Sequence, residues 1–213
     1  MNYIKEKKSM TPLHSLKEMI THGEKLLAQK QWHEYELLCR EVEERCLMAK
    51  DFAGLMAFHE AGLKQLASAE EFEKIRVEDL AKYQADFSKG LNEALAKART
   101  NPAVKAIYFE YFYDGGDASD GNFFLCESFD DEDDDWASDF AGEEGLVPGF
   151  SILPYMDFDP DGDMDDDVTT KGYQYVDACL LAASLEVIEA RGGITYPFGF
   201  AQHDWPVTIY TGK

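Results

Sequence analysis

Apolar positions in the first hundred residues recur at helical spacing. Leu13, Leu16, Ile20 and Leu27 form one stripe, and Thr11 followed by Pro12 supplies an N-cap with proline at the first helical position, so a helix is predicted to about Gln29. Trp32, Tyr35, Cys39, Val42 and Cys46 mark one face of a second helix over residues 31–50. Asp51 caps a third helix with Leu55, Phe58 and Leu66 inward. Ser68 and Glu71 have capping-box spacing and are read as opening one long fourth helix through Phe72, Ile75, Leu80, Phe87, Leu91 and Leu95, with Gly90 a weak point. Asn101-Pro102 ends it, because a residue before proline avoids the α region. No thirty-four-residue repeat is visible, so no repeat array is read.

The pattern then changes period. Residues 104–113 and 122–129 are β-branched and aromatic, and they flank a gap of Asp114, Gly115, Gly116, Asp117, Ser119, Asp120 and Gly121. This predicts two antiparallel strands over residues 103–129, the centre of an antiparallel sheet. Gly142, Gly145, Pro148 and Gly149 read as breakers, and residues 150–156 as a short strand. Residues 171–191 predict one helix with Tyr175, Cys179, Leu180, Ala183, Val187 and Ile188 on its apolar face, ended by Gly192-Gly193. Residues 194–198 and 207–211 are expected closing strands. The fold class is therefore α+β: N-terminal antiparallel helices (residues 1–101), then an antiparallel sheet with one packed helix (residues 102–213), either as two regions or as one continuous domain.

Charge divides the chain at the same place. The formal net charge is −22; residues 1–105 carry 17 acidic and 17 basic side chains, whereas residues 106–213 carry 25 acidic and 3 basic. Between Lys105 and Lys171 stand 21 acidic groups and no Lys or Arg. Such a field repels nucleic acid and anionic membrane and attracts basic surfaces. The basic N-terminus lacks an apolar h-region and no run of eighteen apolar residues occurs, so a cytoplasmic protein is expected. Cys39, Cys46, Cys126 and Cys179 are scattered and read as reduced, mostly buried thiols.

Catalytic spellings are missing: there is no G-x-S-x-G, P-loop or G-x-G-x-x-G. His33-Glu34 and His59-Glu60 begin like H-E-x-x-H, but Leu37 and Leu63 stand where the second histidine belongs. His14 and His22 have no evident partner. His203-Asp204 pairs an imidazole with a carboxylate able to orient it, and Ser151 or Cys126 is a conceivable nucleophile outside any recognisable nucleophile turn. An enzyme site around His203 is therefore one alternative, with non-enzymatic function the main expectation. Asp157, Asp159, Asp161 and Asp163, with Gly162 at the sixth position, follow the first half of an EF-hand calcium loop. The match fails at position twelve, where Val168 replaces the bidentate glutamate, and Pro160 stiffens the loop. A solvated acidic loop is expected there, with calcium as the alternative and no other cofactor.

The remaining acidic segment suggests a partner-binding rim built from Asp131, Asp133, Asp134 and Asp139. Trp136, within DDDWASDF, is either an aromatic anchor inside that rim or a tether fastening the loop to the core. A compact acidic α+β chain with the aromatic hairpin FEYFYDGGDASDGNFFL and no catalytic motif resembles, over residues 103–213, the bacterial immunity proteins of polymorphic or contact-dependent toxin systems. That resemblance implies binding and neutralisation of a basic toxin such as a nuclease, with no direct nucleic-acid or membrane contact.

Overall fold

The computed structural model describes residues 15–112, 120–130, 135–140, 145–157, 166–203 and 205–211. Three helices come first: α1 (Leu16–Ala28), α2 (Trp32–Ala49) and α3 (Phe52–Leu66). The first starts later than Pro12 implied: Ser15 is extended, and its hydroxyl accepts from the Glu18 N–H as the N-cap. Asp51 caps α3 as expected, its side chain accepting from Gly54 N–H at 3.0 Å.

The predicted long fourth helix is broken. The Ser68–Glu71 capping box forms, but it opens only α4 (Ala69–Glu73). The chain then runs extended through β1 (Arg76–Val77), and α5 (Leu80–Thr100) starts afresh behind Asp79, which takes a left-handed conformation and caps Lys82 N–H. The break has a distant cause. β1 pairs antiparallel with β5 (Met156–Asp157), and Glu78 N–H donates to Tyr155 O at 2.8 Å, so pairing across the chain overrides a locally helical stripe.

The hairpin is present. β2 (Ala106–Tyr111) and β3 (Asp120–Cys126) pair antiparallel, from Ala106 opposite Cys126 to Tyr111 opposite Gly121. β4 (Leu146–Ser151) joins β3 at one edge, and β6 (Phe198–Gln202) and β7 (Thr208–Tyr210) complete the order β4-β3-β2-β6-β7. Two expectations are corrected. Pro148 and Gly149 lie inside β4 rather than breaking it, which an edge strand tolerates because it has a free hydrogen-bonding side. The sheet is mixed rather than antiparallel throughout, because β6 runs parallel to β2. A parallel return needs a long crossover, and α6 (Asp166–Ala190) supplies it. Residues 194–197 form the turn into β6, so that strand begins four residues later than the sequence suggested.

Strand alternation sorts side chains onto two sheet faces. Ile107, Phe109, Tyr111, Phe123, Leu125, Phe198 and Phe200 face α5 and α6; Phe87 of α5 lies in their midst. Gly90, one turn further on, allows this approach: a Cβ there would sit 2.5 Å from the Phe123 ring. α6 is buried nearly all round, with Ala178 to Leu185 all inaccessible, because α3 and its neighbours cover the side away from α5 and the sheet. Gly192 and Gly193, both at positive φ, close it by donating to Glu189 and Ile188 carbonyls. One buried hydrophobic cluster runs from Met19 in α1 to Tyr210 in β7 and crosses residue 101 without interruption. All four cysteines are free; Cys39 is half-buried and the others are buried. Among the described residues, no helix is long and apolar enough to cross a membrane.

Candidate functional site

The outer sheet face carries a second, smaller core. Ala106, Tyr108, Cys126 and Ala201 point away from the helices and are covered by Trp136 and Ala137 of the 3-10 turn at Asp135–Ser138. Trp136 is 3% exposed, and its ring meets Phe129 at 5.2 Å and Tyr108 at 6.3 Å, both edge-on. It is thus the tether of the acidic segment and not an exposed anchor. The chain on either side is fastened by a bridge between Cys126 and Phe140 and by Glu127 N–H donating to Asp139 O at 2.8 Å. Gly199 makes room for the indole: a Cβ there would lie 2.7 Å from Trp136 and 3.1 Å from Tyr108. Gly199→Ala is therefore expected to cost about 1–3 kcal/mol by overpacking, read as an earlier urea midpoint with unchanged slope.

Beside this core a cleft of about 490 Å³ opens over the sheet. Its floor is Tyr108 and Phe124, with Phe140 packed on Phe124 at 5.0 Å; Asp135, Glu110 and His203 stand around it. Phe140 is 40% exposed, and Asp135 and Asp139 are exposed. His203 is placed by its backbone, whose N–H continues the β6 ladder onto Tyr111 O at 2.8 Å. Its Nδ1 lies 3.1 Å from Glu110 Oε1, which also accepts from the Tyr108 hydroxyl at 3.1 Å. The pair can hold and pass a proton. Of the two conceivable nucleophiles, the buried Cys126 thiol is pushed up to about 12 by burial, then by the Asp139 charge, which makes it a poor one. Ser151 lies in β4 and is not among the residues lining this cleft.

The structure thus brings Asp139, the Trp136 tether and His203 to one sheet face. Asp131, Asp133, Asp134 and Asp204 lie outside the described residues, as do Asp159, Asp161 and Asp163; of Asp157 only the β5 backbone is described. Among the described residues, no three His, Cys, Asp or Glu side chains are arranged to hold a metal ion.

A second cavity, of about 480 Å³, lies between α2, α3 and α6 and is closed by residues 205–208. Glu43 projects into it from α2 and accepts from Thr208 Oγ1 at 2.6 Å. Asp177 projects from α6 and accepts from the Tyr111 hydroxyl at 3.0 Å. Burial raises Glu43, opposed by the Thr208 bond. Burial raises Asp177 to about 7, against the Tyr111 bond and reinforced by the Glu43 charge. His59 is held down to about 4 by burial and then by Lys171. Lys171 is itself lowered by burial; its ammonium sits 2.9 Å from Gln174 Oε1 and 4.5 Å over the Tyr35 ring. Sequence alone does not single out Glu43 and Asp177, although a signal exists: each interrupts an otherwise apolar helical stripe, Cys39-Glu43-Cys46 and Tyr173-Asp177-Leu181-Ile188.

Comparison with protein-family models, curated proteins and solved structures finds no match for this chain.

Proposed function

We propose that the chain is a binding protein without enzymatic activity of its own, whose acidic outer sheet face engages a basic protein partner. The candidate class of partner is a cognate bacterial toxin such as a nuclease, as the resemblance of residues 103–213 to immunity proteins implies. One observation carries the reading: the outer-face cleft sets carboxylates beside a partly exposed aromatic, Phe140, above an aromatic floor. Charged rims chiefly accelerate encounter, while a desolvated aromatic slows departure. With Trp136 buried, Phe140 takes the anchoring part.

The test is a pull-down from the source cell followed by binding kinetics against the captured basic protein at two salt concentrations. Association should slow as salt rises, because exposed charges are screened beyond about 8 Å at physiological ionic strength. Replacing Asp131, Asp133, Asp134, Asp135 and Asp139 with Asn should slow association; Phe140→Ala should speed dissociation, costing about 2 kcal/mol. Tight binding indifferent to salt and to both sets of substitutions overturns the reading. A second reading, acid–base catalysis in the same cleft, is favoured by the His203–Glu110 contact alone. It requires turnover with a pH profile that is lost in His203→Ala while partner binding is retained.

A further inference from the structure

The cavity between α2, α3 and α6 is separate from the outer-face cleft. Trp205 and Val207 line both, so residues 205–207 form the wall between them. Its volume, about 480 Å³, falls within the span of about 300–1,000 Å³ usual for small-molecule sites. Glu43 and Asp177 come from different helices and enter from different sides. Each has a neutral hydroxyl as its hydrogen-bond donor, and neither is in an ion pair among the described residues. Glu36 and Glu44 add negative charge, and Arg40, exposed at the mouth, is the single Lys or Arg among the described lining residues. The rest of the wall is hydrocarbon and aromatic: Leu55, Leu181, Trp205 and Val207.

Half-buried carboxylates outside any ion pair, with only the exposed Arg40 acting on Glu43, are costly to keep ionised, and a cation placed between them relieves that cost. A hard metal ion is a poor fit, since it asks for six or more oxygen ligands where much of this wall is apolar. We propose that this cavity binds an organic cation, an ammonium or guanidinium head on a short hydrocarbon body, with the head between Glu43 and Asp177 and the body against Leu55, Leu181 and Trp205. The inference stands independently of the outer-face reading, because its charged residues, Glu43 and Asp177, do not line the outer-face cleft.

Titration calorimetry of the full chain with n-pentylammonium and n-butylguanidinium tests it, with 1-pentanol and pentanoate as uncharged and anionic controls. Saturable one-to-one binding of a cation is expected, weakened about thirtyfold or more in Asp177→Asn and in Glu43→Gln. Both substitutions preserve shape and still accept from Tyr111 or Thr208, and thermal melting by circular dichroism verifies that each variant is folded. Asp135→Asn with Asp139→Asn should leave cation binding unchanged. A further arm uses N-acetyl-lysine methylamide. Binding of this probe in place of pentylammonium identifies the cation as a side chain of another protein; preference for the free amine identifies a small molecule. Absence of saturable binding by all three cations, equal binding of pentanol, or unchanged affinity in the Glu43→Gln/Asp177→Asn double variant overturns the proposal.

Discussion

Phe87→Ala is expected to destabilise the fold by about 3–5 kcal/mol, the range for truncating a buried aromatic. Phe87 is wholly buried on α5, and its ring centroid lies 5.2 Å from Phe109, 5.3 Å from Phe123 and 6.0 Å from Phe198. Those three rings belong to β2, β3 and β6, so one side chain joins the helix to the three central strands. The site has little means of collapse. Gly90 already lets α5 approach the Phe123 ring closely, and Phe109 is held between Phe150 and Phe200, stacked at 5.9 and 5.7 Å. A cavity left at Phe87 therefore stays largely open, and cavity volume adds to the lost transfer energy. Domains are stable by only about 5–15 kcal/mol, so this loss is a large fraction of the whole. Equilibrium urea unfolding measures it, with Met48→Ala, at an 81% exposed position, as the neutral control. A loss below about 1 kcal/mol would show that the inner sheet face repacks freely, and the central place given to Phe87 would be wrong.

The elements that were legible in the sequence have local causes. The hairpin is marked by two aromatic runs around a Gly/Asp gap, α3 by Asp51, and the end of α6 by Gly192-Gly193; each signal lies within a few residues of what it specifies. The misread elements depend on partners far along the chain. Residues 76–78 leave the helix to meet residues 155–157, and β6 runs parallel to β2 after a crossover containing α6. No local periodicity encodes such pairings. Pro148 reads as a breaker because a breaker and an edge-strand residue share the same spelling, and only sheet order separates them. The functional surfaces divide likewise. The acidic segment was visible as composition, but whether Trp136 is an anchor or a tether depends on Gly199 and Tyr108, which follow it by 63 residues and precede it by 28. The Glu43–Asp177 cavity joins α2 to α6, two stripes that each look like ordinary core with one misplaced carboxylate.

The misplaced carboxylate of α6 should make stability fall as pH rises from about 4 to about 7. The Asp177 carboxyl titrates at about 7 in the fold, against about 4 when unfolded. Between these values the native state holds a proton that the unfolded chain has released. Stability from this group is therefore fully present at and below about pH 4, falls as pH rises through the window, and levels off above about pH 7. Glu43, also raised by burial, acts in the same direction. His59 acts oppositely: held to about 4 in the fold, it binds a proton more readily when unfolded, so its effect is a rise in stability from about pH 4 to about pH 6.5. The two cancel in part below pH 6.5, and the Asp177 decline stands clear above it. Asp177→Asn keeps an acceptor for the Tyr111 hydroxyl but removes the titration. Its stability relative to the natural chain is expected to grow by about 2 kcal/mol between pH 5 and pH 8, at about 1.4 kcal/mol per pH unit within the window. Tyr111→Phe makes the complementary case. The hydroxyl favours the charged carboxylate, so its loss should carry the decline to higher pH. Urea midpoints across pH 5 to 8 decide the matter. Parallel profiles for the natural chain and Asp177→Asn would show that this carboxyl is ionised and solvated in the fold, and any decline across this window would need another source.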